Sequence, residues 1–98
     1  ELKAVPEEYS LHYNYPNPFN PVTTMLYDLP EAGYTRLIIY DLLGRQVQTL
    51  VDQPLDAGYY RMQWDGRNSQ GKMVGGGVYF YQIQTNGFIR TRKMLLLK

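Results

Sequence analysis

The chain has 98 residues, enough for one domain with a core covering roughly 65% of its unfolded surface. It has no cysteine and one histidine, His12, which excludes disulfides and thiolate metal sites as a means of holding it together. A net charge of +1 gives no grounds for binding nucleic acid or an anionic membrane, and no apolar run approaches the ~20 residues of a transmembrane segment.

The 10 tyrosines, 9 glycines and 6 prolines point to a soluble, β-rich and turn-rich fold. Glu1 stands where an initiator methionine would, and the first residues lack a signal-peptide pattern, so the chain reads as a piece of a longer protein. An extended stretch is predicted around Glu7 to Tyr13. It precedes Asn14-Tyr15-Pro16-Asn17-Pro18-Phe19-Asn20-Pro21, whose three prolines remove three backbone donors. That octet cannot be a central strand and is expected as polyproline II or as a crossover between sheet edges.

From Val22 to Leu29 the pattern has period two, with Met25, Tyr27 and Leu29 on one face. Pro30 to Gly33 is a turn, and the next strand, Tyr34 to Asp41, sets Thr35, Leu37 and Ile39 against Arg36, Ile38 and Tyr40. Gly44 serves a hairpin, Gln46 to Val51 a shorter strand, and Asp52 to Gly58 a loop. Tyr60, Met62 and Trp64 then alternate against Tyr59, Arg61 and Gln63. Asp65 to Gly77 holds five glycines and is loop. Val78 to Thr85 is apolar on both faces through Tyr81, which predicts a central strand covered on both sides. Asn86-Gly87 suits a type I′ turn, because both positions need positive φ, and returns the chain into a last strand from Phe88 to Leu97. The count is seven. An all-β, immunoglobulin-like sandwich of antiparallel strands follows, without the Cys–Trp–Cys core of antibody domains.

Little in the chain resembles catalytic chemistry. His12 has Ser10 two residues away on the same strand and Ser69 in a loop, which suggests no positioned nucleophile and makes His12 an ordinary strand residue. Asp28, Asp41, Asp52, Asp56 and Asp65 lie at strand ends or in loops, where aspartate accepts turn amides. Asp65 to Gly71 has some likeness to a calcium loop. However, it lacks the alternating acids and the bidentate glutamate, so no metal or cofactor is expected. The tyrosines suit a sugar-stacking face, but alternation points Tyr27, Tyr60, Tyr79 and Tyr81 inward and leaves Tyr13 and Tyr15 for an exposed patch. Arg90, Arg92, Lys93 and Lys98 make the last twelve residues basic around the apolar run Met94 to Leu97. This reads either as an edge strand charged against aggregation or as a terminal tag, and spacing alone does not separate the two.

Taken together these motifs resemble the C-terminal sorting domain of the type IX secretion system. The octet through Pro16, Asn17, Pro18 and Phe19 and the following Thr24 to Pro30 look like its opening. Ile39 to Arg45, with Asp41 and Gly44, resembles its central signature; Gly58 to Gly66, with Trp64 and Asp65, and Gly77 to Tyr81, with Tyr79, resemble its later part. Thr91 to Lys98 resembles its end. The similarity spans residues 9–98, leaving residues 1–8 as a linker from an upstream parent. The Trp64-Asp65-Gly66 pattern with Asn68 and Gly71 is also similar to the immunoglobulin-like domain of the flagellar hook-capping protein.

The first resemblance implies a monomeric, non-catalytic module that directs a larger protein through the periplasm and outer membrane of a Gram-negative bacterium to the surface or medium. It implies secretion machinery and a sortase-type cysteine protease as partners. Arg92, Lys93, Met94, Leu95, Leu96, Leu97 and Lys98 would form the recognition element, Lys93 and Lys98 being the best-matched charges. A final strand with an unpaired edge suits strand addition to such a partner. The alternatives are a carbohydrate-binding accessory domain and a spacer or assembly module like the hook-capping domain.

Overall fold

The computed structural model describes residues 4–98. It is an all-β sandwich of seven antiparallel strands: β1 (Ser10–Leu11), β2 (Thr23–Leu29), β3 (Gly33–Tyr40), β4 (Gln46–Leu55), β5 (Gly58–Trp64), β6 (Gly77–Thr85) and β7 (Phe88–Leu96). One sheet has the order β1-β2-β5 and the other β4-β3-β6-β7. Residues 1–3 of the expected linker lie outside the described residues; residues 4–8 form no strand, and Pro6 is buried.

Alternation works as physics predicts in β2 and β5; in β3 it turns Leu37 and Ile39 inward, but Ile38 on the opposite face is buried as well. Met25, Tyr27 and Leu29 of β2 and Leu37 and Ile39 of β3 meet Tyr81 and Ile83 of β6 and Met94 and Leu96 of β7 in one core. Register adds cross-strand pairs. Tyr27 lies opposite Tyr60, their rings stacked with centroids 5.4 Å apart. At the far end of the core, the buried hydroxyls of Thr35 and Thr85 hydrogen-bond at 3.1 Å.

Three expectations change. The first strand shrinks to two residues because the alternation fails at His12 and Tyr13, both exposed between buried Leu11 and Asn14. β4 runs on through the expected loop to Leu55, leaving only Asp56 and Ala57 as the connection. Its Pro54 is tolerated because β4 is an edge strand, where a missing donor on the open side costs nothing. β6 is central in its sheet, but only its inner face is buried; Val78, Phe80, Gln82 and Gln84 on the outer face are half-exposed.

The proline octet adopts the crossover and not the polyproline II alternative. Tyr15 bridges Thr24 at the edge of one sheet, and Phe19 bridges Leu96 at the edge of the other. The peptide bonds before Pro16, Pro18 and Pro21 are cis. One flank of the sandwich is thereby closed.

Candidate functional site

The motif residues divide between turns and one aromatic cluster. Asp41 Oδ1 accepts the N–H groups of Leu43 and Arg45, both at 2.9 Å, and its Oδ2 meets the Arg45 guanidinium at 2.8 Å. The Arg45 backbone N–H, followed by its side chain and the Leu43 N–H, holds the Asp41 carboxyl below the usual aspartate value. Gly44 closes this turn with a φ of 82°. Asp65 Oδ1 accepts the Arg67 N–H, and Asn68 Oδ1 accepts the N–H groups of Gln70 and Lys72. Asp65 Oδ1 and Asn68 Oδ1 of the calcium-like loop are thus directed at its own backbone, and Asp65 Oδ2 lies 3.6 Å from the Arg67 guanidinium. Among the described residues no group of three or more His, Cys, Asp or Glu is placed to hold a metal ion.

Phe19, Trp64 and Tyr79 come from three distant segments and meet at one end of the core. The Phe19 and Trp64 centroids lie 5.8 Å apart, and Tyr79 meets Trp64 edge-on at 5.3 Å. Trp64 Nε1 donates to the Arg67 carbonyl at 2.9 Å, and the Tyr79 hydroxyl donates to the Gly75 carbonyl. Pro16 contributes its carbonyl, which accepts from the buried Thr23 hydroxyl at 2.8 Å and from Asn14 Nδ2 at 3.3 Å. Gly77, with a φ of 143°, admits the chain into β6. Pro18 is an exposed link between Asn17 and Phe19.

The inward tyrosines fall as alternation predicts. Tyr27, Tyr79 and Tyr81 are buried, and Tyr60 packs half-buried against the core. Burial pushes the Tyr27 phenol up to about 12, helped by neighbouring Tyr60. Burial raises Tyr81 likewise to about 12, partly offset by a backbone hydrogen bond and the Arg92 charge. Tyr13 and Tyr15 are 76% and 80% exposed, but the Arg92 guanidinium sits 4.0 Å over the Tyr13 ring and covers one face of it. His12 is an exposed residue just beyond β1, with Nε2 2.9 Å from Asp28 Oδ2.

The expected recognition element splits by parity along β7. Met94 and Leu96 are core residues, each 1% exposed, whereas Lys93, Leu95, Leu97 and Lys98 face solvent. Arg92 is held by its Nε–H bond to the Leu11 carbonyl and by Tyr13. The edge itself is partly taken. Phe19 N–H donates to the Leu95 carbonyl at 3.0 Å, Leu97 N–H to the Phe19 carbonyl at 2.8 Å, and Leu95 N–H to Asn17 Oδ1 at 3.0 Å.

Sequence reasoning missed that Asn17 pairs with β7 and that Ile89 and Thr91 lie on its open edge. The signal for the second was present. A two-residue turn at Asn86-Gly87 makes Thr85 and Phe88 a hydrogen-bonded pair, and the direction of every later backbone group can be counted from it.

Residues 21–87 match the FlgD Ig-like domain. The chain belongs to the FlgD Ig-like domain family. Within this FlgD-type domain the matched span runs from the end of the crossover to the β6–β7 turn and stops before β7. No curated protein matches the chain. Solved structures share the fold: dimeric latent PorU of Porphyromonas gingivalis has a TM-score of 0.69 at 22% identity, covering 89% of this chain and 9% of that one. PorZ of the same organism, described as an essential bacterial surface component of the type IX secretion system, gives 0.62 at 20% identity, covering 88% and 11%. FlgD from P. aeruginosa gives 0.60 at 24% identity, covering 76% and 59%. The chain therefore spans about a tenth of the PorU and PorZ chains and a little over half of FlgD.

Proposed function

We propose that this FlgD-type Ig-like domain is a non-catalytic sorting module that directs a larger protein through the type IX secretion system to the cell surface or medium. The observation that supports this reading is the shared fold with PorU and PorZ over 89% and 88% of the chain, whereas the FlgD family match ends before β7. Its partners are secretion machinery at the outer membrane and a sortase-type protease, and its recognition surface is the outward set Lys93, Leu95, Leu97 and Lys98.

Deleting Arg92 to Lys98 is a poor test, because it strips Met94 and Leu96 from the core and unfolds the module. Replacing only the outward set, as Lys93→Glu, Leu95→Ser, Leu97→Ser and Lys98→Glu, leaves the core intact. The parent protein carrying these changes is expected to accumulate in the periplasm with the domain folded, as judged by protease resistance. Unchanged surface and medium levels would overturn the sorting role.

A second reading, a spacer or assembly module, is favoured by the family match itself and by the likeness to FlgD. Under that reading an unrelated Ig-like domain of equal length restores function when exchanged for this one.

A further inference from the structure

The open half of β7 has both the backbone groups and the charges to receive another strand. The N–H and C=O groups of Phe88, Arg90, Arg92 and Met94 face β6, so those of Ile89, Thr91 and Lys93 face away from the sheet. The next two residues of that parity, Leu95 and Leu97, are already bonded by Asn17 and Phe19. This edge is therefore built for main-chain pairing and is filled only along its second half. Among the described residues nothing bonds the backbone of Ile89, Thr91 or Lys93, and Ile89 is 61% exposed.

The charges identify the occupant. Arg90 lies over Phe88 and Arg92 over Tyr13, and neither they nor Lys93 has a carboxylate partner among the described residues. The adjacent β6 contributes Gln82 and Gln84, which are neutral. A second copy is a poor partner: antiparallel pairing of two β7 edges about Thr91 sets Arg90 of one opposite Arg92 of the other, and like charges there repel. An acidic strand meets a cation on either face: Lys93 on the outer, Arg90 and Arg92 on the inner.

We infer that the edge of β7 from Ile89 to Lys93 is a binding site for an extended acidic segment of another protein, added as a fifth strand to the four-stranded sheet. The inference stands independently of the sorting reading, and its test reads binding and not export.

The probe is a capped nonapeptide alternating glutamate and valine, titrated into the 98-residue chain and followed by calorimetry and by amide shifts of Ile89, Thr91 and Lys93. Expected are saturable binding that weakens with added salt, and no binding of the matching lysine–valine peptide. Thr91→Pro removes an outward donor and leaves the backbone bonds to β6 in place, losing beside it only the Gln82 Nε2 bond to the Thr91 hydroxyl, so it is expected to weaken binding about tenfold. Its thermal unfolding is measured alongside. Arg90→Gln with Lys93→Gln, which alters no core position and leaves only Arg92 charged on this edge, is expected to reduce the salt dependence and serves if the proline variant fails to fold. Absence of binding, equal binding of both peptides, or binding unchanged in both folded variants overturns the inference. Self-association of the chain through this edge, lost in Thr91→Pro, overturns it in favour of a second copy.

Discussion

Phe19 is fixed by two independent kinds of contact. Its ring is buried against Trp64, and its backbone N–H and C=O are both bonded to the last strand. Truncating the ring keeps the backbone pairing but opens a cavity beside Trp64. Phe19→Ala is therefore expected to cost about 3–5 kcal/mol, a large share of the about 5–15 kcal/mol that stabilises a domain of this kind. Urea unfolding followed by Trp64 fluorescence measures the loss, and the native emission of the variant shifts to the red as water reaches the indole. A cost below about 1 kcal/mol, in the range of surface substitutions, contradicts the central place given to this cluster. None of this was visible in the sequence. Phe19, Trp64 and Tyr79 each stood in a motif, but their meeting depends on how the two sheets close.

Two turns at one end of the sandwich are tied together by a single side chain. Asn86, in the left-handed region at φ 48°, donates from Nδ2 to the Ala32 carbonyl at 3.0 Å and to the Tyr9 hydroxyl at 3.1 Å. A Cβ on Gly33 would fall on that amide, which explains glycine at a position whose φ any residue can adopt. Gly33→Ala and Asn86→Gly are each expected to destabilise, by about 1–2 kcal/mol, and the double variant by clearly less than their sum. Additive losses in a double-mutant cycle of urea midpoints contradict the coupling. The elements were legible wherever one face is buried: period-two alternation located β2, β3 and β5, and an apolar run before the Asn86-Gly87 turn located β6, each to within a residue or so. They were illegible where sheet position decides: Pro54 and Asp52 read as loop until β4 is known to be an edge, and β1 is cut short by a break in burial that its composition does not announce. The final strand was located, but the split of its last residues between core and solvent follows only from counting pairs back to the Asn86-Gly87 turn.

The molecule as a whole carries an alkaline limit set by its tyrosines. Tyr27 and Tyr81 titrate at about 12 when folded, against an ordinary 10.0 in the unfolded chain. Above pH 10 the unfolded chain sheds these protons first, so the unfolded state binds fewer of them and stability falls with rising pH until about 12. Urea midpoints are expected to drop across that window, and Tyr27→Phe with Tyr81→Phe to flatten the drop. An unaltered slope in the double variant contradicts the assignment. The fold and the family-type motifs were readable from composition and order, and the outward parity of Ile89 and Thr91 was countable from the Asn86-Gly87 turn. The filling of the rest of that edge by Asn17 and Phe19 was not, because it belongs to the assembled sheet. The bond between Asn17 and Leu95 joins positions 78 residues apart, and that between Arg92 and Leu11 joins positions 81 apart. During synthesis the crossover therefore leaves the ribosome long before its partner exists. β7 emerges last of the seven strands, and Met94 and Leu96 must arrive before the core is filled. Such late closure of distant contacts makes folding slow, so the nascent domain stays open until it is almost wholly made.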